Sequence, residues 1–334
     1  MSIKLKKPDR DGAVISHDSR GLLRIFLEQR ESGLFILLIV MVILMSLARP
    51  GTFFTSENLF NILRQVSLVT IIAVGQTLVI TSAGIDLSVG FSLGLASIIL
   101  SYCLEAGVNT GVAIALGIGI SVVLGLFNGL VVTKIGLPPF IVTIGTSYIA
   151  RGISFVITTG FPIKVTDPFI LGLGMGGIGK IPFMTIIMVV IVAIGIYILN
   201  NTSFGMRTKA IGGNEMATRL SGVNVDRQKI TIFMLCGLFC GIAGVMMAGR
   251  LSAGNPNAGV NYDVDSIAAT IVGGTSMAGG EGTIIGTLLG SLLLGVIKNG
   301  LVLLNVNMYW QTIVSGAIII TVCTVDKLTR GRKA

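Results

Sequence analysis

From residue 34 onward the sequence alternates apolar runs with short polar or glycine-rich joints, and most of the runs are 15 to 22 residues long. A helix of about 20 apolar residues crosses the hydrocarbon core of a bilayer, so each run reads as a candidate span. The runs fall at 34–48, 66–83, 89–104, 111–132, 140–158, 181–199, 230–249, 266–278, 282–297 and 309–325. Residues 56–63 combine helix-start chemistry with an apolar stripe and predict a short interfacial helix ahead of the second run. Pro138-Pro139 opens the fifth run, where proline is tolerated at a helix start. The eighth run is short and rich in Ala and Gly, so it barely spans unless it is extended or partly re-entrant. The expected fold is an all-α polytopic membrane protein of about ten transmembrane helices.

Composition agrees with this pattern. Of 334 residues, 52% are hydrophobic and only 12% charged, where soluble domains carry about 25% charged residues. A nucleic-acid-binding module, a disordered tail and a disulfide-rich secreted scaffold are excluded. The net charge of +9 sorts by segment: seven Lys and Arg lie in 1–32, five in 200–229 and four after Val325. Under the positive-inside rule these segments are the cytoplasmic faces. The organisation expected is a cytoplasmic N-terminal segment 1–32, a membrane domain 33–325 carrying a cytoplasmic loop 200–229, and a cytoplasmic tail 326–334. An even span count agrees with two basic termini on the same side. Cys103, Cys236, Cys240 and Cys323 lie in apolar runs beside almost no histidine, which reads as thiols packed between helices, with no metal site.

Gly125 and Gly129, Gly237 and Gly241, and Gly282, Gly286 and Gly290 recur at four-residue spacing. In lipid, such faces let helix backbones approach closely. A weak internal repeat also appears. Leu124-Gly125-Leu126-Phe127-Asn128-Gly129-Leu130-Val131 resembles Leu294-Gly295-Val296-Ile297-Lys298-Asn299-Gly300-Leu301-Val302, with one extra residue. Asp86, opening the third run, corresponds to Asp265, opening the eighth. Five spans per half then force the halves to insert upside down relative to each other, a five-plus-five inverted repeat of the kind found in transporters.

The chain has no Walker A sequence, no His-Glu-x-x-His and no plausible set of nucleophile, base and orienting acid, so no catalytic residue is assigned. Gly84-Ile85-Asp86-Leu87-Ser88-Val89-Gly90 places a carboxylate and a hydroxyl between glycines at the joint of two runs. Asp86 and Ser88 can cap the next helix or line a pathway, since ionisable groups at membrane depth are costly unless they face protein or water. Asn128, Arg151, Asp265 and Asn299 are the other candidates for a pathway or gate. Of the ionisable residues, Arg151 alone stands plainly within a run.

The loop 200–229 carries the clearest local signal. Asn214 suits an N-cap, Glu215 the positive end of a helix and Gly222 its stop, which predicts a two-turn helix exposed between spans six and seven. Glu215-Met216-Ala217, followed by Gly222, resembles the coupling motif of ATP-binding cassette (ABC) importer permeases. Met216 replaces an alanine, and Gly222 comes one place late. The ribose/galactose-type sugar permeases are closer. The chain resembles them at 58–64, 84–90, 139–146, Arg151-Gly152, 204–225 and 268–286, including Val272-Gly273-Gly274-Thr275 and Gly279-Gly280-Glu281-Gly282.

That resemblance implies a type II ABC importer-like permease in the cell inner membrane, multi-pass, with both termini cytoplasmic. It implies a homodimer or a heterodimer with a related permease, cytoplasmic ABC ATPase subunits and an extracytoplasmic sugar-binding protein, with membrane lipid around it and no nucleic acid. Asn214, Glu215, Ala217, Arg219, Leu220 and Gly222 are then the contact with the ATPase. ATP and magnesium belong to that partner, and this chain carries no cofactor. The solute is a pentose or hexose. The alternative from another class is an ion- or proton-coupled secondary transporter or channel, which normally carries ionisable residues in mid-span. A membrane scaffold or receptor comes third and has no need of a docking helix.

Overall fold

The computed structural model describes residues 30–307 together with 309–314, 316–317, 320–321 and 324. The sequence readings for the N-terminal segment, the C-terminal tail and part of the tenth run therefore lie outside the described residues. Twelve α-helices carry the described chain: α1 (Arg30–Ala48), α2 (Ser56–Thr81), α3 (Val89–Glu105), α4 (Thr110–Leu130), α5 (Pro139–Thr158), α6 (Pro168–Met175), α7 (Phe183–Asn201), α8 (Ser203–Gly213), α9 (Glu215–Leu220), α10 (Val225–Leu251), α11 (Tyr262–Val272) and α12 (Ile284–Leu303). A π-helical turn, Val131–Ile135, prolongs α4. Four two-residue strands complete the fold: β1 (Ile163–Lys164) pairs antiparallel with β4 (Ala253–Gly254), and β2 (Gly177–Ile178) with β3 (Ile181–Pro182).

Polar side chains start most of these helices by taking up N–H groups that have no partner inside the helix. Thr55, Asn109, Asp167, Thr202, Asn214, Asn224 and Thr283 each accept from a backbone N–H of the helix that follows. Among the described residues six helices are long and apolar enough to cross a membrane: α2, α4 with its π turn, α5, α7, α10 and α12. The apolar stretch Ser32–Ala48 of α1 and the helix α3 fall just short of that length.

Two expectations are corrected, and one connection gains a helix. The interfacial helix and the second run are one continuous helix, α2, because Arg64 and Gln65 between them are good helix formers and nothing breaks the chain. The connection after the fifth run holds α6, capped by Asp167. The eighth run starts earlier than expected, at Tyr262, and ends at Val272; its 11 residues reach about 16 Å, roughly half of a bilayer core.

Helices α2, α3 and α10 form the buried centre, and the main apolar cluster joins Leu68, Ile71, Leu93, Phe233, Cys236 and Met246. The glycine rows hold the helices at this centre close together. A methyl on Gly125 or Gly237 would strike the carbonyl of Phe233 or Ser121, and one on Gly129 or Gly241 would crowd Ile230 or Ile118, so α4 and α10 meet backbone to backbone. Gly286 and Gly290 of α12 pack on the carbonyls of Gly273 and Ala269, at the end of α11, while Gly282 faces the Thr81 hydroxyl. All seven glycines therefore lie in close helix or loop contacts and none faces lipid. Overpacking such a contact costs about 1–3 kcal/mol. Gly286→Leu is accordingly expected to lower the yield of monodisperse protein in detergent by size-exclusion chromatography, whereas Gly119→Leu, with open space around it, should not.

Candidate functional site

The joint between α2 and α3 turns back into the protein. Ala83 takes a left-handed conformation with φ of 60°. The chain then runs through Gly84 and Ile85 to Asp86, whose Oδ1 accepts from the Ser88 N–H at 2.8 Å and from the Ser88 hydroxyl at 2.6 Å. This Asx-type turn aims the chain into α3. The Ser88 side chain caps no backbone group and instead accepts from Asn128 Nδ2 at 2.9 Å, while Asn128 Oδ1 accepts from the Thr146 hydroxyl at 2.6 Å. A continuous polar chain thus links the joint to α4 and α5.

Two further groups lock the loop. Thr143 Oγ1 donates to the Ile85 carbonyl at 3.3 Å. Gln76, with its amide set so that oxygen meets a donor and nitrogen an acceptor, donates to the Asp86 carbonyl (3.3 Å) and accepts from the Asp86 N–H (3.2 Å). Gln76, Asp86, Ser88, Asn128 and Thr146 are each no more than 2% exposed. Burial without partners would cost these groups heavily, and mutual hydrogen bonding offsets that cost. Asp86→Asn keeps the Oδ1 acceptor and is expected to insert and fold much like the parent. Asp86→Leu removes it and is expected to cost about 1 kcal/mol or more, read as a lower thermal midpoint in detergent.

The other pathway candidates do not join this chain. Arg151 is exposed, its guanidinium 5.3 Å from the Phe91 ring centre and 5.8 Å from that of Phe155. Asn299 pairs reciprocally with Asn58 at 2.8 and 3.0 Å, fastening α12 to the start of α2. Asp265 receives Lys298 Nζ at 2.6 Å on both carboxylate oxygens. Lys298 lies inside α12 and so corrects the reading that Arg151 stands alone within a span: that reading ended the ninth run at 297, whereas the helix continues to Leu303.

The second assembly lies in the 200–229 loop. Asn214 Oδ1 accepts from the Ala217 N–H at 2.9 Å, and Gly222 leaves α9 with φ of 84°, a conformation that side chains resist. Glu215 and Arg219 pair at 3.4 Å, but each has a shorter second partner: Lys229 lies 2.6 Å from Glu215, and Asp226 lies 2.9 Å from Arg219. Lys134, in the π turn, reaches Asp226 at 3.1 Å. A five-residue ladder therefore ties α9 to the start of α10 and to the end of α4. It leaves the apolar side chains Met216 and Leu220 facing outward, 67% and 81% exposed. Above α9, the Gly280 N–H donates to the Thr81 carbonyl at 2.9 Å, and Gly212 sits where a methyl would strike both groups. The corner between α8 and α9 thereby rests on the end of α2 and on the loop before α12.

The ladder sets the charge of its carboxylates. Hydrogen bonds from Arg219 and then Lys134 hold Asp226 below the usual carboxylate range. At Glu215 partial burial works upward, but Lys229 and Arg219 outweigh it and the net shift is downward. A carboxylate lowered in the folded state contributes stability above its unfolded pKa of about 4 and loses it as pH falls through the folded value. Both carboxylates of the ladder are therefore charged at neutral pH, and the thermal midpoint in detergent is expected to show no loss from the ladder between about pH 6 and 8.

Sequence reasoning missed Gln76, Thr146, Lys134, Asp226, Lys229 and Lys298. Gln76 had a signal, a lone amide in an apolar run; each of the rest pairs with a residue on a different helix, a contact that helical spacing does not reveal.

Residues 58–323 match the family described as branched-chain amino acid transport system / permease component. The chain is 42% identical over 304 residues to the ribose import permease protein RbsC of Escherichia coli (strain K12), covering 89% of this chain and 93% of that protein. It is likewise 42% identical over 300 residues to the ribose import permease protein RbsC of Bacillus subtilis (strain 168), covering 89% and 93%. The identity to the galactose/methyl galactoside import permease protein MglC of Escherichia coli (strain K12) is 36% over 323 residues, covering 91% and 96%. No solved structure matches the chain.

Proposed function

The chain belongs to the branched-chain amino acid transport system / permease component family, and from its likeness to ribose and galactose import permeases we propose that it carries a monosaccharide, a pentose or hexose, across the cytoplasmic membrane. It is the multi-pass permease subunit of an importer whose ATPase is a separate chain. The observation that carries this reading is likeness along nearly the whole length to ribose and galactose permeases, joined to an outward-facing apolar helix α9. In this reading two permeases, identical or related, enclose the path. Cytoplasmic ATPases grip Met216 and Leu220, and a sugar-binding protein delivers the solute on the outer side. ATP and magnesium are held by the ATPase.

Motion enters at α9. The ladder passes it to α10 and α4, and the Thr81–Gly212–Gly280 corner passes it to the end of α2. Beyond Thr81 lies the Asp86–Ser88–Asn128–Thr146 chain, whose hydrogen bonds make α3, α4 and α5 move with the joint. Asp86 and its partners are thus a rigid relay of the gate. The five-plus-five inverted repeat with ten spans and cytoplasmic termini is part of the same proposal. Its support is that Asp86 lies just before α3 and Asp265 in the first turn of α11, and that each connects to the later part of the next helix, through Ser88 to Asn128 in one case and directly to Lys298 in the other. The Asp265–Lys298 pair is self-neutralised and needs no transported ion.

The test is uptake of labelled ribose, galactose, xylose and arabinose in a strain deleted for this chain and then complemented. Restored uptake of one of these sugars supports the reading. Unchanged uptake of all pentoses and hexoses contradicts it.

A further inference from the structure

The relay and the ladder leave one polar feature unused. Between α2, α11 and α12 lies a cleft of about 190 Å³, into which Gln65, Asn261, Tyr262, Asp265 and Lys298 project. Roughly 150 Å³ of cavity accepts one benzene ring, so this open cleft admits the ring of a monosaccharide and leaves part of its hydroxyl shell at the opening. Among the described residues, the side chains of Gln65, Asn261 and Tyr262 make no hydrogen bond, which leaves an amide, a second amide and a phenol uncommitted around one space. Val69 and Leu294 supply an apolar wall beside them.

The cleft opens between the helices on the side of the bundle where α2 starts. Gln65 is nine residues, about 14 Å, from the start of α2, and Lys298 is fourteen residues, about 21 Å, along α12. The two helices run antiparallel, with Asn58 near the start of α2 against Asn299 of α12, so Lys298 is only about 8 Å from the end of α12 and the cleft occupies the part of the span nearer the start of α2, on the approach to the midplane where transporter sites collect. Tyr262 also lines a neighbouring cleft of about 340 Å³ with Arg250, Asn255 and Asn257, beyond the far end of α10 from the coupling helix. One side chain, Tyr262, therefore borders both clefts.

Resting on the function proposed above, we propose that the cleft at Gln65, Tyr262 and the Asp265–Lys298 pair is a transit subsite holding one neutral monosaccharide, with Tyr262 at its outer threshold. A sugar offers alternating donors and acceptors and a partly apolar ring face, and the cleft offers both kinds of partner. Asp265 and Lys298 supply an acceptor and a donor whose charges cancel, so a charged solute gains nothing there that a hydroxyl does not. Affinity must stay weak, because a site on a path has to release what it binds.

The experiment uses the permease–ATPase complex in nanodiscs without binding protein, with the imported monosaccharide as probe and saturation-transfer NMR as readout. The parent complex is expected to give a signal at millimolar sugar. Gln65→Leu and Tyr262→Phe, neither of which removes an internal hydrogen bond, should each reduce it at least fivefold with normal ATPase recovery. Equal signals in parent and variants overturn the subsite. So does an absent signal in a complex that imports the sugar, and in that case the function still stands. Failure to import any pentose or hexose overturns the function and takes the subsite with it.

Discussion

Replacing both Met216 and Leu220 with aspartate is expected to leave the chain in the membrane, strip it of its ATPase and abolish sugar uptake. Both side chains point away from the protein's own core, so the fold loses nothing when they change. Asn214 still caps α9, and the ladder from Lys134 to Lys229 still holds it. Burying each apolar side chain in a partner groove contributes about 1.5–3 kcal/mol. Losing both therefore weakens docking by roughly 10² to 10⁴-fold. Co-purification of the ATPase with the tagged permease checks this. Full ATPase recovery and full uptake in the double variant would remove α9 from the coupling role.

Asn128→Leu should destabilise the permease itself. The leucine fits the volume but neither donates to Ser88 nor accepts from Thr146, and it sits where no water reaches. Ser88 retains its bond to Asp86, and Thr146 its bond to the Val142 carbonyl, so the loss is two hydrogen bonds and not the whole chain. At about 1–1.5 kcal/mol each, the expected cost is roughly 2–3 kcal/mol. It should appear as a thermal midpoint several degrees lower in detergent, with Thr146→Val affected less. A parent-like midpoint for Asn128→Leu would mean that the chain from Asp86 to Thr146 does not bind α3, α4 and α5 together.

These two variants also mark what the sequence makes legible. Helix α9 is local: its cap at Asn214, its acidic first turn and its glycine exit lie within nine residues, and all three appear where the sequence placed them. The glycine rows are legible for the same reason, since small side chains at four-residue spacing leave little else for a helix face to do in lipid. The Asx turn at Asp86 was visible, but its continuation to Asn128 was not, because that contact joins residues forty apart. Lys298 was hidden by a boundary. A lysine at the edge of an apolar run looks like a loop, and only the opposite charge of Asp265 lets it remain inside the helix. The ladder was half legible: Glu215 and Arg219 share a helix face by spacing, whereas Asp226, Lys229 and Lys134 arrive through the fold.

The account is tested most directly in proteoliposomes that hold this chain with its ATPase, with ATP and magnesium enclosed in the lumen beside the ATPase and the sugar-binding protein outside. It predicts accumulation of a labelled pentose or hexose that requires both lumenal ATP and the binding protein and persists when ion gradients are collapsed. Accumulation without ATP, driven by a proton or sodium gradient, would contradict it.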